Sequence, residues 1–360
     1  MNSSMRVSLD KSIRRLLWEA AKISRRKPGY AVYLLRAWLW QRKAAARRAS
    51  WERRGAAIPP FIILSVTRRC NLKCRGCYAG AHRADSGEIL PPEKWRRILS
   101  EAEEMGISFA LLAGGEPLLN PEILDIAAGF RRMIFPVFTN GQLLAGENVR
   151  RFKMHQNLIP VLSLEGEAHA TNERRGEGVH AWVMSAMEEL RRAGVFFGAS
   201  LTLTGENFAA ATGEDFIRDL LGRGCKFFIF VEYVPVQEGT EKLVLTGGQR
   251  ASLEGALRRM RRRFPALFIA FPGDEELFGG CLAAGRGFVH INPEGALEPC
   301  PFAPYSDANL KDSSLSEALK SGLLAAIRAN HGALKETAGG CALWDKRDWV
   351  KSLEDKAAKR

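Results

Sequence analysis

Short apolar runs alternate with amphipathic stretches between residues 61 and 235. The runs have the length of buried strands, and the stretches between them have the apolar spacing of helices. We predict six strands, near 61–66, 107–113, 134–138, 159–164, 195–203 and 226–234. We predict five helices between them, near 91–105, 121–132, 145–153, 179–193 and 213–222. This alternation favours right-handed crossovers and a parallel sheet, which periodicity alone allows to be doubly wound or an incomplete barrel.

Two further helices are predicted before the first strand. The first, 9–26, has apolar residues on one face, and the second, 30–49, is apolar nearly all round in its first half and basic in its second. Aromatic residues bordered by arginines are typical of a helix that lies in a membrane interface. The alternative is that this arm packs against the main domain and exposes its basic face to water. Contact with nucleic acid is the least favoured of the three.

The net charge of +13 is concentrated in this arm. Residues 1–57 contain fifteen Lys and Arg but only three Asp and Glu, so +12 of the charge lies there. The rest of the chain is close to neutral, and only the arm is therefore suited to an anionic partner.

The pattern changes near residue 270, where Gly and Pro turn signals surround a short predicted hairpin, 288–292 with Leu297 after the turn. A helix is predicted near 315–330. We therefore divide the chain into a basic helical extension (1–58), a core (59–270) and a small cysteine-containing region (271–360).

Composition narrows the class of protein. A hydrophobic content of 46% is typical of a globular protein with a sizeable core. Seven clustered cysteines argue against a secreted disulfide framework and favour metal binding in a reducing compartment. No run reaches the ~18 consecutive apolar residues of a membrane-spanning helix, and no signal-peptide pattern is found. The expected location is the cytoplasm, with attachment to the inner membrane surface as the alternative that the arm leaves open.

The segment Cys70-Asn71-Leu72-Lys73-Cys74-Arg75-Gly76-Cys77-Tyr78 follows the first predicted strand. Thiolates are the ligands that iron-sulfur clusters and zinc prefer. A structural zinc site normally has four protein ligands, whereas three thiolates on a cubane cluster leave one iron open to a small molecule. The spacing therefore favours an iron-sulfur cluster.

Three more motifs end the next predicted strands: Gly114-Gly115-Glu116-Pro117, Thr139-Asn140-Gly141 and Ser163-Leu164-Glu165-Gly166. With the cysteine segment, they resemble the radical S-adenosylmethionine (SAM) superfamily over roughly residues 61–235. The resemblance implies an α/β fold, a partial (β/α)6 TIM-like barrel. It also implies a [4Fe-4S] cluster on Cys70, Cys74 and Cys77, whose open iron binds SAM.

The resemblance also implies roles for single residues. Glu116 would accept the methionyl ammonium of SAM, Ser163 and Glu165 would contact the ribose hydroxyls, and Tyr78 would line the adenine. Gly114 and Gly115 have no Cβ, so their backbone can approach a ligand closely. Two further candidates are Arg175, for the SAM carboxylate, and Glu232, as a catalytic carboxylate at the end of the last predicted strand. Glu232 would either face the substrate or lie in a solvated loop.

A second set of cysteines comprises Cys281, Cys300 and Cys341. Thirteen residues separate Cys281 from Gly295 and four separate Gly295 from Cys300, which resembles the opening of the SPASM extension of many radical SAM enzymes. A reduced SPASM or twitch-like region would hold one auxiliary [4Fe-4S] cluster, with Glu275 or Glu276 as candidates for the fourth ligand. The alternative is that these cysteines pack as small hydrophobic residues, as we expect for Cys225.

The predicted function is that of a radical SAM enzyme. The resemblance implies that the reduced cluster cleaves SAM and that the resulting 5'-deoxyadenosyl radical abstracts hydrogen from a substrate C–H bond, with electrons from a flavodoxin-type reductase. SPASM-like regions favour a peptide or protein substrate. The basic arm leaves a membrane-surface lipid open as the alternative, and a zinc- or nucleic-acid-binding protein without activity is the interpretation from another class. The sequence leaves the product and the oligomeric state open.

Overall fold

The structure is a computed structural model that describes residues 3–24, 28–81, 89–271, 278–334 and 341–357. Glu275 and Glu276, the candidates for a fourth cluster ligand, lie outside the described residues. The strands are β1 (Phe61–Ser65), β2 (Phe109–Ala113), β3 (Phe135–Thr139), β4 (Leu158–Leu164), β5 (Gly198–Leu203), β6 (Phe227–Glu232), β7 (Leu267–Phe271), β8 (Phe288–Ile291) and β9 (Leu297–Glu298).

The α-helices occupy the segments between and around these strands. They are α1 (Ser3–Ile23), α2 (Pro28–Arg53), α3 (Tyr78–Ala81), α4 (Pro92–Met105), α5 (Pro121–Gly129), α6 (Gly146–Met154), α7 (Ala168–Arg175), α8 (Val179–Ala193), α9 (Phe208–Ala211), α10 (Glu214–Gly222), α11 (Gly247–Arg263), α12 (Leu315–Ala318), α13 (Gly322–Ala329), α14 (Ala342–Asp345) and α15 (Arg347–Ala357). Among the described helices, none is long and apolar enough to cross a membrane.

The nine strands form one sheet in the order β7-β6-β5-β4-β3-β2-β1-β8-β9. Strands β1 to β7 follow each other in sequence order, so every crossover advances in the same direction around the sheet. A doubly wound sheet would reverse that order at a switch point. The sheet therefore curls into a half-barrel, and the predicted partial barrel is confirmed.

Alternation along the strands separates the barrel interior from the helical layer. In β1, Ile62 and Leu64 are fully buried, whereas Phe61 and Ile63 are partly exposed and line an internal cavity. In β2, Ala110 and Leu112 are buried in the same way. Because successive strand residues point to opposite faces, one set packs under the helices and the other faces the cavity.

Two parts of the sheet differ from the prediction. β7 was not predicted, and it extends the parallel sheet beyond β6, pairing Phe227 with Leu267. The predicted hairpin forms as β8 and β9, but β8 also pairs in parallel with β1, from Phe61 with Phe288 to Leu64 with Ile291. The C-terminal region thus supplies strands to the main sheet.

The helix predicted near 315–330 is instead two helices, α12 and α13. Ser321 lies between them, and its hydroxyl accepts a hydrogen bond from the backbone N–H of Leu324. A serine that caps a new helix start ends the preceding one, because its own backbone is not helical.

The N-terminal arm packs against the amino-terminal ends of the strands. Arg48 on α2 donates to the carbonyl of Gly106, and Ser108 donates to Gln41 at 2.6 Å; both partners lie just before β2. Tyr30 stacks on Phe196, just before β5, with ring centroids 4.7 Å apart. The inner face of the arm therefore closes the bottom of the half-barrel, opposite the carboxyl ends of the strands.

Candidate active site

A cavity of about 310 Å³ lies inside the half-barrel. It is lined by all six cysteines of the two predicted sets and by seven of the eight other predicted site residues. The cysteines are Cys70, Cys74, Cys77, Cys281, Cys300 and Cys341, and the others are Tyr78, Gly114, Gly115, Glu116, Ser163, Arg175 and Glu232. The remaining predicted residue, Glu165, lies behind the wall of this cavity.

The first three cysteines lie on the segment that links β1 to α3. A turn brings the backbone N–H of Cys77 to 3.3 Å from the carbonyl of Cys74. Burial raises the pKa of the Cys74 thiol, and the charges of the neighbouring Cys77 and Cys70 thiols raise it further. The positive charges of Arg175 and Arg174 oppose that rise. The three thiols are thus close enough to interact, with two cations beside them. Thiolate ligands of a cluster gain from nearby cations, so this donor set fits an iron-sulfur cluster.

The need for glycine at positions 114 and 115 is explained by close backbone contacts between the loop after β2 and the residues just before the cysteine segment. The N–H of Gly115 donates to the carbonyl of Thr67 at 2.7 Å, and the N–H of Glu116 donates to the carbonyl of Arg69 at 2.8 Å. A Cβ on Gly115 would lie 2.1 Å from the carbonyl oxygen of Arg69. The two glycines therefore let the β2 loop dock directly on the backbone just before Cys70.

Glu116 is 1% exposed and its carboxylate is held by backbone groups. Oε1 accepts from the N–H of Leu118 at 3.0 Å, and Oε2 accepts from the N–H of Asn140 at 2.8 Å. Burial raises the pKa of Glu116, and these hydrogen bonds partly offset that rise. The carboxylate thus joins the loops after β2 and β3 and faces the cavity in a fixed orientation.

Glu165 is fully buried and pairs with two arginines of α7. Its Oε1 accepts from Arg174 Nη1 at 2.5 Å and from Arg175 Nε at 2.7 Å. Burial lowers the pKa of Arg175, but the charges of Glu165 and Cys74 outweigh it and raise that pKa. Glu165 therefore positions both guanidinium groups at the cavity wall. Arg174 Nε is buried without a hydrogen-bond partner among the described residues, which fits a wall that awaits an anionic ligand.

Hydroxyl groups of two neighbouring strands face the same cavity. Ser163 of β4 is paired in register with Ser200 of β5, and Thr202 follows two positions later. Ser200 and Thr202 were not predicted as site residues. Their spacing of two residues on a strand is the feature of the sequence that could have indicated them, since residues i and i+2 share a face.

A buried hydrogen-bonded chain connects β1, β8 and β9. Ser65 Oγ lies 2.8 Å from His290 Nε2, and His290 Nδ1 lies 2.6 Å from Glu298 Oε2. Ser65 also hydrogen-bonds the hydroxyl of Tyr78. Burial raises the pKa of that hydroxyl well above its usual value. This chain was not predicted, because its members are joined only by the pairing of β8 with β1.

The second set of cysteines also converges. Cys300 hydrogen-bonds with Cys341, and this contact together with burial and the proximity of Cys281 raises the pKa of the Cys300 thiol. The ring of Tyr78 contacts that of Phe302 edge-on at 5.5 Å, which brings the two sets together. Within the residues that the structure describes, no three His, Cys, Asp or Glu side chains are grouped to hold a single metal ion. In a cubane cluster, each thiolate instead binds a different iron.

Glu232 ends β6 and is 3% exposed. Burial raises the pKa of its carboxyl, against the effect of Arg250, which donates to Oε1 through Nε at 3.0 Å. The cavity also has apolar lining, formed by side chains of five strands, Phe61, Ile63, Leu111, Ile229, Phe271 and Phe288. The cavity thus has a polar end at the first cysteines and an apolar interior.

Cys225 lies apart from both sets and was expected to be structural. It is fully buried, and burial raises the pKa of its thiol to about 12. It does not line the cavity.

Comparisons with known proteins bear on this site. Residues 64–216 match the model of the Radical SAM superfamily. Pre-heme d1 synthase of Dinoroseobacter shibae is 25% identical over 321 residues, covering 79% of each chain. Mycofactocin maturase MftC of Mycobacterium tuberculosis is 27% identical over 316 residues, covering 80% of this chain and 79% of that protein. The crystal structure of SuiB from Streptococcus suis shares the fold with a TM-score of 0.64 and 19% identity, covering 86% of this chain and 78% of that one.

The matched segment runs from β1 to α10 and includes every motif of the polar end of the cavity. The family implies a [4Fe-4S] cluster and SAM, and the thiols, the paired arginines and the oriented carboxylate fit both. Residues 64–216 thus form a Radical SAM domain, and the protein is a radical SAM enzyme.

Proposed function

We propose that this enzyme abstracts hydrogen from a peptide or protein substrate, and that Cys281, Cys300 and Cys341 hold an auxiliary [4Fe-4S] cluster. One observation supports the proposal most strongly: both sets of cysteines line a single cavity. When bound, the first cluster and SAM would supply reductive cleavage and hydrogen abstraction. A flavodoxin-type reductase is the proposed electron donor.

The residues of the polar end would bind and orient SAM. Glu116 would accept the methionyl ammonium, since its carboxylate is already fixed by two backbone N–H groups. Arg175 and Arg174 would face the SAM carboxylate and the thiolates, and Glu165 would hold both guanidinium groups in place. We therefore assign Glu165 an indirect role in SAM binding, rather than the direct ribose contact expected from the sequence.

The hydroxyls and the aromatic residues would complete the SAM site. Ser163, with Ser200 and Thr202, would serve the ribose, and Tyr78 would line the adenine. Glu232 is proposed to contact the substrate, at the carboxyl end of β6, where Arg250 fixes its orientation.

The cluster assignments are tested by iron and sulfide content after anaerobic reconstitution. Two cubane clusters give about eight irons per chain, and Cys74→Ala and Cys300→Ala should each lose about half. Cys74→Ala should also abolish SAM cleavage. Cys225→Ala is the matched control, because that thiol is buried away from the cavity. Full iron content in Cys300→Ala would remove the auxiliary cluster from the proposal. A colourless protein that contains zinc would support the non-enzyme alternative.

A tetrapyrrole is a second candidate substrate. The apolar lining of the cavity, with five phenylalanines, suits a flat conjugated ring. Relatives of similar identity include pre-heme d1 synthase and an AdoMet-dependent heme synthase of Oleidesulfovibrio alaskensis. The peptide proposal rests instead on mycofactocin maturase, and a structure of SuiB is bound to a precursor peptide.

Titration of the reconstituted enzyme separates the two candidates. Iron coproporphyrin III should shift its Soret band on binding and stimulate SAM cleavage if the tetrapyrrole candidate is right. Short peptides encoded beside the gene should stimulate cleavage if the peptide proposal is right. Stimulation by the porphyrin alone would overturn the peptide proposal.

A further inference from the structure

The outer face of the N-terminal arm carries most of the exposed large apolar side chains of the described residues. Five of the eight lie on α1 and α2: Val7, Trp18, Val32, Leu35 and Leu39. Single exposed apolar residues are ordinary on a protein surface. A concentration of such residues on two neighbouring helices is unusual, and it points to a contact surface.

These residues follow the helical repeat. On α2, positions 32, 35 and 39 form one stripe, which continues into the exposed residues Arg36, Arg42 and Lys43. The opposite stripe of α2, which includes Tyr33, Leu34 and Ala37, is buried in the core. The outer stripe is therefore left over after the helix has packed, and it changes from apolar to basic along its length.

The outer stripe of α1 has the same composition. Val7, Lys11, Arg15, Trp18 and Lys22 are exposed at spacings of three and four residues. Lys22 Nζ lies 5.5 Å from the centroid of the Trp18 ring. An aromatic ring flanked by lysine and arginine is suited to the boundary between lipid headgroups and acyl chains.

We propose that the outer stripes of α1 and α2 dock on an anionic membrane surface. Trp18, Leu35 and Leu39 would enter the headgroup region, and the surrounding Lys and Arg would face anionic lipid headgroups. Charge complementarity supports this partner, because residues 1–57 hold +12 of the net charge of +13. The exposed apolar residues distinguish a lipid surface from nucleic acid, which would contact the basic side chains alone.

The docking surface faces away from the catalytic cysteine segment. α2 closes the amino-terminal ends of the strands, whereas Cys70, Cys74 and Cys77 follow the carboxyl end of β1. A strand of five residues separates these ends by about 17 Å. The membrane therefore locates the enzyme and does not supply a lipid to the cavity, which disfavours the lipid-substrate alternative.

The test is co-sedimentation of the reconstituted full-length enzyme with two kinds of vesicle. Phosphatidylcholine vesicles containing phosphatidylglycerol should bind the protein, and pure phosphatidylcholine vesicles should bind it weakly. Arg36→Gln/Lys43→Gln should weaken binding about 30-fold, from two lost basic contacts. Trp18→Ser and Leu35→Asn/Leu39→Asn should also weaken it, at unchanged melting temperature. The matched control is Trp182→Ser, because that tryptophan is exposed on α8, outside the arm.

Several outcomes would overturn the proposal. Equal binding to both kinds of vesicle would contradict an anionic membrane as the partner. Equal loss of binding in Trp18→Ser and Trp182→Ser would contradict the assignment of the docking surface to the arm. Loss in the charge variant with no loss in either apolar variant would indicate a polyanion such as nucleic acid. Vesicle-bound enzyme should cleave SAM at the rate of the free enzyme with a chemical reductant. Inhibition by vesicles would contradict the inferred orientation.

Discussion

Replacing Gly115 by alanine tests whether this glycine is needed for the contact between the β2 loop and the cysteine segment. A Cβ at this position would meet the carbonyl oxygen of Arg69 at 2.1 Å and its carbon at 2.6 Å, both backbone atoms. Ordinary contact begins at 3.4 Å, so the segment must move by about 1.3 Å. Cys70 is the next residue and must move with it.

The expected cost follows from the contacts that this shift breaks. The N–H of Gly115 and the N–H of Glu116 would lose their bonds to Thr67 and Arg69, worth about 1 kcal/mol each. With an overpacking cost of about 1–3 kcal/mol added to the two lost hydrogen bonds, we expect a loss of roughly 3–5 kcal/mol in the free energy of unfolding. We also expect reduced iron content, because cluster ligands must be held within about 0.5 Å.

The assays are urea unfolding followed by tryptophan fluorescence and iron content after reconstitution. Gly129→Ala is the control, because nothing lies within 4 Å of a Cβ at the end of α5. It should be neutral or stabilise by about 0.4–1 kcal/mol. Unchanged stability and iron content in Gly115→Ala would refute the proposed role of this glycine.

Two further predictions concern buried carboxylates. Glu165→Gln should destabilise the fold by about 3 kcal/mol in urea unfolding, because two buried guanidinium groups lose their anion. The control is Glu188→Gln, which also removes a carboxylate paired with two arginines, but on the surface, and it should change the stability little. Equal effects of the two substitutions would contradict the argument. Glu116 has a raised pKa in the folded state, so its contribution to stability is present below its unfolded value near 4.5 and is lost as pH rises through the folded value. The stability of wild type relative to Glu116→Gln should therefore fall as pH rises above about 4.5, and a difference independent of pH would be evidence against it.

The parallel sheet could be predicted because each strand is a short apolar run with a helix after it, and the partial barrel was implied by the family resemblance. The order of the strands could not, since periodicity describes one element at a time. β7 and α11 were missed because the helix is rich in arginine and its apolar stripe is narrow, Leu253, Ala256, Leu257 and Met260. The pairing of β8 with β1 joins residues more than two hundred positions apart.

The residues of the candidate site also fall into two groups, those that the sequence could indicate and those whose contacts it could not. Cys70, Cys74, Cys77 and Glu116 lie in short motifs at strand ends, so the sequence and the family resemblance could name them as candidates. Gly115 and Glu165 each contact a neighbour that the sequence did not indicate, the carbonyl of Arg69 for the glycine and Arg174 for the carboxylate. Sequence can name a residue that matters at a strand end. It does not give the neighbour that the residue contacts.

The pairing of β8 with β1 has a consequence for the two sets of cysteines. Cys70 lies five residues after β1, and Cys300 lies two residues after β9, which pairs with β8. One cysteine of each set therefore follows a strand of the same sheet, in which β8 lies between β1 and β9. The buried hydrogen-bonded chain from Ser65 through His290 to Glu298 connects the same strands. The ring of Tyr78 contacts that of Phe302, which joins the segments that follow β1 and β9. Because packed sheets deform little, the distance between the two sets is set by the fold. The two clusters that we propose would therefore have a separation fixed by the fold, as electron exchange between them would require.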